Sequence, residues 1–190
     1  AAFPTLARSL ARGRESEFIE NIAMAARHVL FWSLPATALI IVLRAHIVRV
    51  ILGSGAFDWT DTRLTAASFA LLSLALVCQG LMLLLVRGYY AAGRTFVPVV
   101  VSTGIALGTI GLGELLLRVF ENASALSFLQ SIMRLEDIPG SNILALSIAY
   151  ATATLIGTVI IAYCFEKRFR GFLIQISRSI SQGLVSAVSG

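Results

Sequence analysis

Between Arg63 and Arg87 the chain carries no charge: Leu64 to Val86 is 23 uncharged residues in a row. At ~1.5 Å rise per residue, such a run makes a helix long enough to cross a hydrocarbon layer ~30 Å thick. A soluble helix of that length needs a charged face, and this one has none. A chain holding one such segment must be read as membrane-embedded throughout. Composition agrees, with 13% charged and 57% apolar residues and a mean hydropathy of +0.87. Soluble domains average about 25% charged residues.

Three further apolar stretches join it, so the expected spans are about 29–52, 64–86, 97–117 and 143–164, within a four-span unit over 29–166. Residues 1–28 read as the end of a preceding helix followed by an amphipathic one. Gly13 is a helix stop, and Phe18, Ile22, Ala25 and Val29 recur at helical spacing with Glu17, Glu20 and Asn21 between them. Such a segment is expected to lie in the membrane interface. At the other end, Glu166 to Arg170 is a charged stop. Phe172, Ile176, Ile180 and Leu184 then suggest that 167–190 is a basic interfacial helix or the start of a further span. The fold class expected is an all-α integral membrane protein with four main transmembrane helices plus amphipathic interfacial helices. The chain begins Ala-Ala-Phe-Pro, without Met, and reads as an excerpt of a longer polypeptide.

Within the spans, the polar and helix-breaking residues carry the information. Pro35 sits inside the first span, where a missing backbone donor favours a kink. Arg44, His46 and Arg49 lie in its last turns; they either snorkel to the interface or face a polar cavity. Gly53-Ser54-Gly55 breaks the helix, and Asp58, Thr60 and Asp61 offer N-caps for the next. Gln79 reads as interhelical glue or as a substrate ligand. Gly104 and Gly108 form a close-packing pair in a glycine-rich third span, and with Pro35 they are candidate hinges. Glu114 and Arg118, four apart, can pair on one helix face. The segment 121–142 is a polar connection with one short amphipathic piece.

Charge sets orientation. Ten basic residues, Arg27, Arg87 and Arg94 among them, fall on one side of the four spans; five fall on the other, with six of the ten acids. The positive-inside rule places both chain ends and the Arg87–Val97 turn in the cytoplasm. The net charge of +5 therefore reflects membrane topology rather than a nucleic-acid surface. Cys78 and Cys164 both fall in apolar runs and read as buried thiols. His28 and His46 flank opposite ends of one span, about 25 Å apart, and cannot share a metal. No catalytic triad, metal spacing or phosphate loop is present, so neither an enzyme nor a cofactor is expected.

Several stretches together resemble the MurJ/MviN family of lipid II flippases, in the multidrug/oligosaccharidyl-lipid/polysaccharide exporter superfamily. They are Phe3-Pro-Thr-Leu-Ala-Arg8, Leu34-Pro35, the turn Leu52-Gly53-Ser-Gly55-Ala-Phe57-Asp58, and the turn Arg87-Gly-Tyr-Tyr90-Ala-Ala-Gly93-Arg-Thr95-Phe-Val-Pro98. Their order, spacing and orientation match that family over about Ala1 to Ser102. The resemblance implies that the chain is part of a larger MATE-like bundle of fourteen helices, supplying about helices nine to twelve. It implies alternating access around a cationic cavity whose arginines lie mainly in helices outside this chain. The implied partners are membrane lipids, an undecaprenyl-linked cell-wall precursor and the remaining helices of the parent protein. Arg27 and Arg87 are the candidate substrate contacts, through charge-assisted bonds to a pyrophosphate, with anionic-lipid contact as the other reading. The chain departs from the family at Arg94, where an acid is usual, at Phe96, where a base is usual, at Leu83 for a lysine and at His46 for a proline. The alternatives are a related polyprenyl-glycan or multidrug exporter, or a non-transporting membrane scaffold.

Overall fold

The computed structural model describes residues 13–53, 58–120, 143–169, 171 and 172. They form four helices: α1 (Glu15–Leu52), α2 (Trp59–Ala91), α3 (Phe96–Phe120) and α4 (Ile143–Arg168). Each is long and apolar enough to cross a membrane. Gly55, Phe57, the first twelve residues, the 121–142 connection and residues from 173 onward lie outside the described residues.

α2 is central to the packing: it lies against α1 on one side and α4 on the other, while α3 packs on α4 and barely reaches α2. The register is readable from close approaches. Ile22 meets Gly88 and Val29 meets Gly80, so α1 and α2 are antiparallel. Ile105 meets Gly157 and Gly108 meets Ala153, so α3 and α4 are antiparallel too.

Small residues take many of the buried positions, and many large apolar side chains face outward. The buried positions of α2 and α4 include Ala66, Ala67, Ala70, Ala75, Ala145, Ala149 and Ala153, whereas Phe31, Trp32, Val50 and Leu107 stand exposed. Without a hydrophobic drive between helices in lipid, small residues that let backbones approach are what hold a bundle together. Buried hydroxyls and one amide add to this. Thr158 Oγ1 lies 3.2 Å from the Cys78 carbonyl across the α2–α4 seam, and Gln79 donates its side-chain N–H to the Tyr150 hydroxyl. Gln79 thus joins helices.

Helix ends follow local chemistry. Asp58 caps α2 reciprocally with Asp61: the Asp61 N–H donates to Asp58 Oδ1 at 2.9 Å, and the Asp58 N–H donates to Asp61 Oδ2 at 3.2 Å. Asp58→Ala should lower stability by about 1 kcal/mol, read as a lower unfolding midpoint in detergent. The other end of α2 closes on Gly93, at φ +69, with Arg94 N–H donating to the Tyr89 carbonyl at 2.9 Å and Gly93 N–H to that of Tyr90 at 3.0 Å. A left-handed residue is needed there, which glycine supplies without strain. α3 then starts at once, with Pro98 in its first turn, where no backbone donor is lost.

Two expectations need correction. Glu15–Arg27 is not a separate interfacial helix but the first turns of the continuous 38-residue α1. Its apolar positions Phe18, Ile22 and Ala26 are fully buried against α2 and the end of α4, so its amphipathic face answers to protein rather than to lipid headgroups. Glu114 and Arg118 are both exposed, and no ion pair joins them among the described residues. An exposed pair of this kind adds little, so little is lost when the two side chains stay apart.

Candidate functional site

One end of the bundle gathers both candidate arginines and the turn between α2 and α3. Ile22 of α1 touches the Gly88 position of α2, and this pairs the start of α1 with the end of α2. Arg87 is exposed beside that contact. Arg27, half-buried, lies a little over one turn beyond Ile22 on α1 and folds back so that its Nε donates to the Ala23 carbonyl at 3.3 Å. Neither arginine joins an ion pair among the described residues, where Arg14 and Glu17 form one at 3.4 Å. Tyr90, Gly93, Thr95 and Pro98 form the turn at this same end, with Tyr90 exposed and Pro98 buried. Lys167 and Arg168, in the last turn of α4, add two more exposed cations.

Beneath this basic rim sits an aromatic cluster. Phe165 packs on Phe18, Tyr89, Phe169 and Phe172, with ring centroids 4.9 to 6.3 Å apart. The Phe165, Phe169, Phe172 spacing of i, i+4, i+7 is the sequence signal for it, partly hidden by the charged run between them. The cluster ties α1, α2 and the end of α4 together at the level of the cations.

The remaining candidates lie elsewhere. Gly53 and Asp58 are at the opposite end, where Arg49 reaches toward the Thr62 hydroxyl at 3.5 Å and lies 6.0 Å from the Trp59 ring. Pro35 is exposed in mid-α1, inside an unbroken helix. A Cβ at Gly108 would meet that of Ala153 at 3.8 Å, while a side chain at Gly104 would meet nothing within 4 Å. Gly104 instead borders an apolar groove of about 290 Å³ between α3 and α4. Among the described residues, no group of His, Cys, Asp or Glu is arranged to hold a metal ion.

A cationic rim on an apolar bundle suits an anionic amphiphile, but the arrangement alone does not separate a transporter from a scaffold. The family comparison does. The lipid II flippase MurJ family model matches residues 1–189. The chain belongs to that family. As a MurJ-family chain it is part of a multi-pass lipid II flippase, working in transport and peptidoglycan biosynthesis, with lipid II as substrate and membrane lipid as surroundings. The match runs well past Ser102, where the recognisable motifs end, and takes in α3 and α4. Among curated proteins and among solved structures, nothing matches significantly.

Proposed function

We propose that this chain works by alternating access in the bacterial cytoplasmic membrane, with the Arg87–Val97 turn and both chain ends facing the cytoplasm, and that Arg27 and Arg87 receive the pyrophosphate of the undecaprenyl-linked precursor. The observation that carries this reading is the placement of both arginines at the one end of the bundle that also holds Arg94, Lys167 and Arg168. The excess of basic residues on that side orients it inward. There the precursor is loaded, so arginines are in place to make charge-assisted bonds to its phosphates.

In this reading Arg87, exposed, makes the first contact, and Arg27, about one turn deeper, takes over as the headgroup advances. Releasing Arg27 from the Ala23 carbonyl costs little, because a guanidinium has further donors for a phosphate. Pro35, Gly104 and Gly108 are the positions where helices bend or slide as the bundle reopens on the far side.

The test is complementation in cells depleted of their own lipid II flippase and expressing the full-length protein. Arg27→Ala with Arg87→Ala should cut delivery of lipid II to the outer leaflet about tenfold at unchanged protein level, and lysine at both positions should recover part of it. Undiminished flipping by the alanine pair retires the role of these arginines. Cysteine labelling at Gly93 from the cytoplasmic side alone checks the orientation separately.

A further inference from the structure

Along one side, α3 and α4 do not close on each other. The groove there is lined by Val100, Gly104, Gly108 and Leu112 of α3 and by Ile156 and Ile160 of α4, without one charged side chain. It exists because Gly104 brings no side chain to fill it, and nothing else stands within 4 Å of where a Cβ would be.

Its length limits what can occupy it. Val100 to Leu112 covers ~18 Å of helix at 1.5 Å per residue, a little over half of a ~30 Å hydrocarbon layer. That is the depth of one leaflet and the reach of one acyl chain; a spanning helix would need both leaflets. The groove also starts one turn inside the Phe96 end of α3, so it opens toward one membrane face.

The charge at that face narrows the choice further. Lys167 follows Ile160 by seven residues, which puts it on the groove side of α4 two turns further on. The antiparallel register of α3 and α4 brings the start of α3 level with the last turn of α4. Arg94 is held at this level by its backbone bond to Tyr89, whose ring lies 5.4 Å from that of Phe165. Arg94 and Lys167 are both exposed. The neighbouring acid, Glu166, accepts the Gly171 N–H at 2.8 Å. Beyond the far end of the groove, Glu114 and Arg118 carry opposite charges. One mouth is therefore cationic and the other has no net sign.

We propose that this groove binds an anionic phospholipid of the surrounding leaflet, with one acyl chain laid along Gly104 and Gly108 and the headgroup phosphate between Arg94 and Lys167. This site shares the basic end with the lipid II path proposed above but uses neither Arg27 nor Arg87. A zwitterionic lipid fills the apolar part equally well, but its headgroup carries no net charge to gain from the two cations.

The test uses the full-length protein in phosphatidylcholine vesicles carrying a trace of photoreactive acyl-chain lipid, with either a phosphatidylglycerol or a phosphatidylcholine headgroup. Cross-linked peptides are mapped by mass spectrometry. The phosphatidylglycerol probe should label the Val100–Leu112 and Ile156–Ile160 peptides about tenfold more than the phosphatidylcholine probe. Arg94→Gln with Lys167→Gln, both surface changes, should bring the first probe down to the level of the second. Gly104→Leu should lower labelling by both. Equal labelling by the two headgroups, or a preference that survives the double glutamine variant, overturns the proposal. So does an absence of label from either probe, which would place another helix of the protein over the groove.

Discussion

Gly157→Ala is expected to loosen α3 from α4. A Cβ at Gly157 would collide with both Cδ1 and Cγ1 of Ile105, and would stand 3.7 Å from Val101. The terminal methyl of Ile105 alone could turn aside. Its Cγ1 cannot, because a β-branched residue in a helix is confined to essentially one χ1 rotamer. The helices must therefore separate, at a cost of roughly 1–3 kcal/mol. α3 has few other anchors, since it scarcely touches α2 among the described residues. Cross-linking between cysteines placed at Gly108 and Ala153, which face each other in the intact bundle, should fall several-fold in the Gly157→Ala protein. Shortening Ile105 to alanine in the same protein should restore much of it. Unchanged cross-linking in Gly157→Ala would mean that Ile105 does not seat on Gly157.

That contact shows what could and could not be read in the sequence. Uncharged length announces a span, because a bilayer imposes one scale on every helix that crosses it. The Leu64–Val86 run and its three companions are of this kind, and small residues such as Gly157 and Ala153 mark a packing face. Which helix seats on that face is a long-range matter. Nothing in the third and fourth spans says that α3 lies outside α4 rather than beside α1. The same limit explains Glu15–Arg27. Its amphipathic pattern is real, but an apolar stripe reads alike whether it meets lipid or a cluster of phenylalanines more than a hundred residues away. Only the fold shows Phe18 against Phe165 and Phe169.

Of the candidate site, the charges were legible and their grouping was partly so. Counting basic residues puts Arg27, Arg87, Arg94 and Lys167 on one side of the membrane, because every span reverses direction. The groove bordered by Gly104 was not legible. A GxxxG pair predicts close approach to a neighbour, yet only Gly108 has one, at Ala153, and Gly104 faces open space. A glycine's missing side chain makes room in either case, and sequence does not say whether a helix or a lipid takes it.

Phe165→Ala should have the largest effect on the basic end. Phe165 is fully buried and stacks on Phe18, Tyr89, Phe169 and Phe172, while its ring edge also covers the Gly88 position at 3.2 Å. Truncating a phenylalanine so enclosed costs roughly 3–5 kcal/mol. Tyr89 and Phe18 each lose a ring contact, so α1, α2 and the end of α4 are released from one another together. The cations above them lose a common platform: Arg87 is next to Gly88, and Lys167 and Arg168 follow Phe165 within a turn. Cys164, half-buried one residue away, gives a direct readout. In a Cys78→Ser background, its alkylation by a water-soluble maleimide should speed up at least several-fold in Phe165→Ala. Phe165→Leu, which keeps most of the apolar volume, should fall between the two. If the cluster holds the basic rim in shape, lipid II flipping should drop in the same order, alanine below leucine below phenylalanine, in samples matched for folded protein. Flipping that stays constant while Cys164 opens would confine the cluster to stability and leave the arginines to act without it.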